Sequence, residues 1–370
     1  MNIGVIAIGR NEGERLRQCL ASLVGRGLPV VYVDSKSSDG SPDLARSMGA
    51  EVVALDMSIP FCAARARNEG FARLMQICPE ATYVQFVDGD CEVAPSWLDR
   101  AQAELEAQPG TAAVCGRRRE RHPEASIYNR LADLEWDTPI GETKSVGGDS
   151  LMRVAAFEEA GGFDATVAAG EEPELCQRMR EKGWKIYRID AEMTVHDSAM
   201  LHFGQWWTRA VRSGYGAMDV ATRFRRGKQG LFVDQVRRAR KWAVGWPLAV
   251  VSAWVLAMLV WGVFGSMRNA NKAAALATLA AAAVFAAAPL QILRSAIRAR
   301  PKAGSWRVAL AAGALTLISK WANYVGQRRY QEDRAVGRNT RLIDYKATGK
   351  AADAPCATSV RSAASRGIYS

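Results

Sequence analysis

Two aspartates one residue apart, Asp88 and Asp90, end an apolar run in the stretch FVDGDCEV. Residues i and i+2 of a strand share a face, and Gly89 lets the chain turn tightly between them. Two like charges resist burial together, but a divalent cation can neutralise both. Oxygen ligands at this spacing suit Mg²⁺ or Mn²⁺, which commonly hold a substrate diphosphate as well. The plainer alternative is that Asp90 caps a helix starting near Pro95. A second acidic pair, Glu171 and Glu172, precedes Pro173. Its plain alternative is a helix N-terminus, where carboxylates stabilise the first turn and proline fits the first position. His196, one of three histidines, lies in TVHDS. Imidazole is a better ligand for Mn²⁺ than for Mg²⁺, although a lone histidine is more often a satisfied, partly buried residue.

These groups need a scaffold, and the pattern up to about Phe224 is that of alternating strands and helices. Strands are expected at Asn2–Ile8, Val30–Asp34, Glu51–Leu55, Thr82–Asp88 and Ala112–Gly116. Helices are expected at Asn11–Gly25, Pro42–Met48, Cys62–Ile77 and Trp97–Ala107. Such alternation implies an α/β fold, a mainly parallel sheet covered on both faces, with ligands at the carboxyl ends of the strands. Asp34, Asp39, Asp88 and Asp90 all fall at those ends.

The segments IGRNE (Ile8–Glu12), VDSKSSDGS (Val33–Ser41), ARNEG (Ala66–Gly70) and FVDGD (Phe86–Asp90) occur in this order. GGDSLMRVAAFEEAGGFD (Gly147–Asp164) and GEEPELCQRMREKGWKI (Gly170–Ile186) follow. Over about the first 220 residues the chain resembles the family 2 glycosyltransferases, which have the GT-A fold. The resemblance implies a nucleotide-sugar donor and a role for each matching position. Asp39 would recognise the base, and Glu12 and Asp34 would line the nucleotide pocket. Arg67 would sit near the nucleotide, unless it is a solvated helix arginine. Asp88 would face the ribose or the metal, Asp90 would hold the metal, and His196 would be a third ligand. Asp149 would touch the sugar or satisfy backbone amides. Glu171 and Glu172 match the catalytic acidic pair; glutamate replaces the usual second aspartate, and Glu172 would be the general base of an inverting transfer. HFGQWWTRAVRSG (His202–Gly214) departs from the Q-x-x-R-W spacing of processive synthases, yet Arg209 or Arg212 could contact the diphosphate.

The formal charge of +11 favours anionic partners. Seven scattered cysteines with no C-x-x-C pair read as reduced thiols. The N-terminus reads as a first strand rather than a signal peptide. A GT-A domain is expected over 1–222 and a basic juxtamembrane segment over 223–242. A membrane region is expected over 243–327, with spans near 243–265 and 273–293 and an amphipathic or membrane helix near 306–325. A partly disordered cytoplasmic tail would follow from 328 to 370. The basic flanks place the hairpin ends, and with them the catalytic domain, on the cytoplasmic side of the inner membrane. The basic run against an apolar span favours lipid headgroups, and nucleic acid is not expected as a partner. The sequence therefore predicts a membrane-anchored glycosyltransferase. It would pass sugar from a UDP-sugar to a lipid-linked or envelope glycan acceptor with Mn²⁺ or Mg²⁺. A nucleotidyltransferase, or a membrane scaffold without activity, are the alternatives.

Overall fold

The computed structural model describes residues 2–224, 230–264, 270–337, 341–343 and 353–355. Arg225, Arg226 and Lys228 of the basic run, residues 265–269 and most of the tail, with Cys356, lie outside the described residues. In chain order the elements are β1 (Ile3–Gly9), α1 (Glu14–Ala21), β2 (Val30–Asp34), α2 (Ser41–Ser47), β3 (Glu51–Ala54), α3 (Ala63–Ile77), β4 (Tyr83–Asp88) and β5 (Cys91–Val93). There follow α4 (Trp97–Ala107), β6 (Thr111–Glu120), α5 (Ile127–Trp136), β7 (Gly141–Glu142), β8 (Ser150–Arg153), α6 (Val154–Glu159), α7 (Glu171–Glu181) and β9 (Lys185–His196). The remainder is α8 (Phe203–Arg223), α9 (Val233–Arg240), α10 (Trp246–Phe264), α11 (Ala270–Ala303), α12 (Trp306–Ala335), β10 (Arg341–Ile343) and β11 (Asp353–Pro355). A turn of π-helix, Lys241–Gly245, joins α9 to α10.

The chain divides into two compact units. The first comprises Met1–Arg121, Asp137–Ser198 and Glu332–Ser370; the second comprises His122–Trp136 and Ala199–Gln331. The first holds a nine-stranded sheet in the order β3-β2-β1-β4-β8-β6-β9-β5, with β7 paired to β9. Four neighbours, β3 to β4, run parallel, as the alternating pattern predicts. β8 breaks the pattern by running antiparallel between β4 and β6. Its four residues were not readable as a strand because their partners are distant in sequence and the segment lacks period-2 alternation. β1 and β2 are built from Val and Ile that are almost fully buried, each contributing roughly 1.5–3 kcal/mol. The expected first helix is shorter than Asn11–Gly25: Asn11 takes a left-handed φ of 55° and belongs to the loop before α1.

The register decides which side chains meet. Gly9 lies beside Asp34 and Ile8 beside Asp88, so the carboxyl ends of β1, β2 and β4 are level. On the other side of the sheet, His196 of β9 lies between Cys91 of β5 and Glu120 of β6. The six cysteines among the described residues are buried and unbridged.

The second unit is helical. Leu131 of α5, Trp206 of α8 and Ala312 of α12 share one core cluster, so two helices preceding the apolar runs pack among them. Three helical stretches, Val233–Gly262, Lys272–Ala303 and Trp306–Ala335, are long and apolar enough to cross a membrane by length and composition. In their apolar windows 6%, 17% and 39% of residues are buried, so the first two turn most of their apolar side chains outward and the third packs more deeply. The stretch expected near 306–325 is thus the apolar part of one continuous helix of 30 residues.

Candidate active site

The loops after β1 and β2 are stapled together. The Asn11 N–H donates to Ser37 Oγ at 2.9 Å, and the Ser38 N–H donates to Asn11 Oδ1 at 2.7 Å. The Gly13 N–H donates to Asp39 Oδ2 at 2.9 Å. Asn11 and Lys36 both hold positive φ, and sparsely populated conformations of this kind persist where surrounding structure over-determines them. Asp34 is buried and accepts from the Ser37 N–H at 2.9 Å and the Tyr32 hydroxyl at 3.2 Å. Burial pushes the Asp39 carboxyl up, but hydrogen bonds from Ser41 and Gly13 outweigh it and hold the group below its ordinary value. Glu12 lies against Gly89 and pairs with Arg15 at 2.8 Å.

Arg67 organises the centre. Gly70, one turn further along α3, allows the helix to lie on the sheet; a Cβ there would stand 2.5 Å from Ile6. Arg67 is 2% exposed, so it is not a solvated helix arginine. Its guanidinium reaches Asp88 at 2.9 Å, Glu171 at 2.9 Å and Glu172 at 3.1 Å. Burial opposes its charge, and the three carboxylates outweigh burial and keep it protonated. Gly148 makes room for this contact, because a Cβ would lie 2.7 Å from Asp88 Oδ2 and 3.0 Å from the Arg67 guanidinium. Glu171 and Glu172 occupy the first turn of α7, behind Gly170 at φ 85°. They therefore sit at a helix N-terminus, as the plainer reading of the pair expects. Burial and the charge of Glu171 push the Glu172 carboxyl up to about 7, against the opposing pull of Arg67.

A second guanidinium closes the network from β6. Arg118 contacts Asp149 at 2.6 Å and Asp88 at 3.3 Å. Asp149 is fully buried; its carboxylate accepts from the Asp88 N–H, Arg118 and the Thr194 hydroxyl. The backbone-amide alternative for this residue is therefore realised, with Arg118 and Thr194 added. Burial pushes the Asp88 carboxyl up, yet Arg67 and Arg118 prevail and hold it below its ordinary value.

Asp90 meets different chemistry. It does not cap the helix after Pro95, which begins at Trp97 behind Ser96. Its Oδ2 lies 3.3 Å from His196 Nε2, and both residues are buried. Two ligand atoms about 2.1 Å from one octahedral ion stand about 3 Å apart, so this pair fits a divalent cation with little adjustment. Cys91 also lies nearby, but burial and the charge of Asp149 push its thiol well up, which leaves carboxylate and imidazole as the donors. Glu120 stands behind His196, its Oε2 3.9 Å from Nδ1, and accepts from the Ser198 N–H at 3.2 Å. A carboxylate behind a ligating imidazole fixes its orientation and raises its basicity. Asp88, Asp90, Asp149, Glu171 and Glu172 against Arg67 and Arg118 leave the cluster formally negative, as a cation site requires.

The sheet unit thus gathers Arg67, Asp88, Asp90, Asp149, Glu171, Glu172 and His196 about the ends of its strands, with Asp34 at the end of β2 and Glu12 and Asp39 on the adjoining loops. Arg209 belongs to the helical unit, where it pairs with Glu135 at 3.1 Å. Sequence reasoning missed Arg118 and Glu120. It ended the strand at Gly116 because GRRRE reads as a charged loop. The available signal was the two-residue spacing of Arg118 and Glu120, which puts both on one face if the strand continues.

Comparison with known proteins relates the part of the chain that holds Glu12 to Asp149 to a family. Residues 5–160 match the sequence profile of Glycosyl transferase family 2. A Pre-mycofactocin glycosyltransferase of Mycobacterium tuberculosis is 26% identical over 240 residues, covering 60% of this chain and 48% of its own. The Succinoglycan biosynthesis protein ExoA of Rhizobium meliloti is 27% identical over 194 residues, covering 50% of this chain and 57% of its own. The chain spans about half the length of the curated relatives it matches. The mannosyltransferase PcManGT from Pyrobaculum calidifontis, solved in complex with GDP-Man and Mn²⁺, aligns with a TM-score of 0.50 at 20% identity. That alignment covers 90% of this chain and 86% of the other, and it shows the shared fold, a mixed and mostly parallel sheet of GT-A type. By the matched residues, their order and the sheet they build, residues 5–160 of the chain carry the pattern of glycosyltransferase family 2.

Proposed function

We propose that this protein transfers a sugar from a nucleotide-sugar, a UDP-sugar in the first instance, to an acceptor hydroxyl with inversion at the anomeric carbon. The observation that carries the reading is the juxtaposition of two sites in one buried cluster. One is the Asp90–His196 pair, suited to a divalent cation; the other is the acidic pair Glu171–Glu172 held by Arg67. The solved mannosyltransferase with GDP-Man and Mn²⁺ supports this choice of donor class and metal.

Asp90 and His196 would hold Mn²⁺ or Mg²⁺, and Glu120 would keep the imidazole oriented. The ion, when bound, supplies positive charge to a diphosphate leaving group. Asp88 has both oxygens engaged by guanidiniums, so its part is to present a fixed carboxylate toward the ribose. Asp149 and Arg118 position Asp88. Asp39 remains an anion and can accept from an N–H of the base, with Glu12 and Asp34 shaping the pocket beside it. Glu172 takes the proton from the acceptor hydroxyl as its oxygen attacks the anomeric carbon and the bond to the diphosphate breaks. A carboxyl pushed up to about 7 is matched to that work near neutral pH. Arg67 sets how far it rises and holds both glutamates at the helix terminus.

The three apolar helices support membrane attachment, with the catalytic domain on the cytoplasmic side and an acceptor carried by a lipid or an envelope glycan. The test is turnover of a panel of nucleotide-sugars by the detergent-solubilised protein with Mn²⁺. Metal-dependent release of nucleoside diphosphate, lost in Glu172→Gln, is expected. A nucleotide-sugar that binds without any turnover, with or without candidate acceptors, would instead favour a scaffold.

A further inference from the structure

The helical unit contains a cavity that the proposed chemistry does not use. It is open to one side and has a volume of about 490 Å³ between the start of α10 and the later part of α11. The two helices are antiparallel, since Trp246 Nε1 donates to the Val284 carbonyl and Trp261 Nε1 to Thr278 Oγ1. Lys241 on one helix therefore comes level with Gln291 and Arg294 on the other, and all three line the cavity. Its remaining wall is apolar and aromatic, with Trp242, Trp246 and Leu290.

The cavity sits where both helices change character. Arg237, Arg238, Arg240 and Lys241 precede the apolar part of α10, and Arg294, Arg298, Arg300 and Lys302 follow that of α11. Across residues 233–303 the sole acidic residue is Asp234, which lies nearest Arg237 at 3.9 Å. Lys241 and Arg294 are exposed, so two cations face a chamber that their own helices supply with no matching anion. The turn of π-helix at Lys241–Gly245 forms part of the wall, and such single-turn bulges recur at functional sites. Beyond the cavity the outer faces are strongly apolar: Leu248, Val251 and Leu279 are each at least 60% exposed.

We propose that this cavity binds the phosphate of an anionic membrane phospholipid. Lys241 and Arg294 take the phosphate oxygens, Gln291 donates beside them, and the tryptophans flank the glycerol region. The acyl chains then lie along the exposed faces of α10 and α11. Charge complementarity and the amphipathic lining select this occupant over a soluble phosphate, which would leave the apolar faces uncovered. The proposal rests on the reading of these helices as membrane spans.

The test uses the full chain in nanodiscs of phosphatidylcholine doped with phosphatidylglycerol, with retained lipid counted by native mass spectrometry. Wild type is expected to retain phosphatidylglycerol selectively. Lys241→Gln with Arg294→Gln should weaken that retention roughly tenfold to thirtyfold. Arg298→Gln with Arg300→Gln, which removes the same charge outside the cavity, should weaken it severalfold less. Equal losses in both variants would reduce the site to general electrostatics and overturn it. Displacement of the lipid by inorganic phosphate or glycerol 3-phosphate would also overturn it, in favour of a soluble ligand. Alkaline carbonate extraction of native membranes separates the two levels of the argument. Release of wild type would remove the membrane reading together with the site. Retention of wild type without preference for phosphatidylglycerol would remove the site alone.

Discussion

Asp88 and Asp90 stand two residues apart, yet they belong to two regions with opposite chemistry. Asp88 lies on the guanidinium side, between Arg67 and Arg118, with Asp149, Glu171 and Glu172 in the same network. Asp90 lies on the imidazole side, 3.3 Å from His196 with Glu120 behind it. A guanidinium is a permanent cation and cannot ligate a metal, so it neutralises carboxylates and fixes them. An imidazole is neutral when it ligates, so a carboxylate beside it can share a divalent ion. Under the proposed function, residues of the same type thus acquire different tasks from their partners: presentation and proton transfer on one side, ion binding on the other. Two adjacent charges that looked like an electrostatic difficulty are resolved by sending them to different partners.

The most severe way to probe the guanidinium side is to remove its proposed base. Glu172→Gln should lower kcat roughly 10²–10⁴-fold, while Mn²⁺ and nucleotide affinities change little; a variant with near-normal kcat would move the base elsewhere. Arg67→Leu leaves three carboxylates without their shared cation, and breaking a buried pair costs about 3–5 kcal/mol. Thermal unfolding with nucleotide absent should show a midpoint lower by about 10 °C, and an unchanged midpoint would mean that the network carries no net stability. On the imidazole side, Glu120→Gln should weaken Mn²⁺ binding by about 10–100-fold with only a small change in the unfolding midpoint. If stability fell and metal affinity did not, Glu120 would be a structural residue only.

The mildest probe is pH. A general base works deprotonated, and burial together with the Glu171 charge has pushed the carboxyl of the proposed base, Glu172, up to about 7. The rate should therefore be flat above that value and fall about tenfold per pH unit well below it. A profile without a break between about pH 5.5 and 8 would show that this carboxyl does not limit turnover.

Much of this division is invisible in the sequence, for physical reasons. The carboxyl ends of β1, β2 and β4 were legible, because continuous Val and Ile runs mark buried parallel strands and the aspartates follow them directly. The ordered motifs singled out Asp39, Asp90 and Glu172 as candidates. The sharing of Arg67 among three carboxylates was not legible, since Glu171 is 104 residues away and only the fold brings them together. Arg118 and Glu120 were hidden by composition: RRRE has the polarity of a loop, whereas pairing with β9 carries it on as strand. The apolar character of 306–325 was plain, but not that its helix runs on through Arg328 and Arg329 to Ala335, because interior packing hides where a helix stops.

The separation of the two aspartates is tested most directly by Mn²⁺ titration, followed by electron paramagnetic resonance, of wild type, Asp90→Asn and Asp88→Asn in the presence of UDP. Loss of a ligand should exceed the effect of a supporting partner, so Asp90→Asn is predicted to weaken Mn²⁺ by more than about 100-fold and Asp88→Asn by less than about tenfold. Equal losses in the two variants, or a larger loss for Asp88→Asn, would contradict the assignment of the ion to Asp90 and His196.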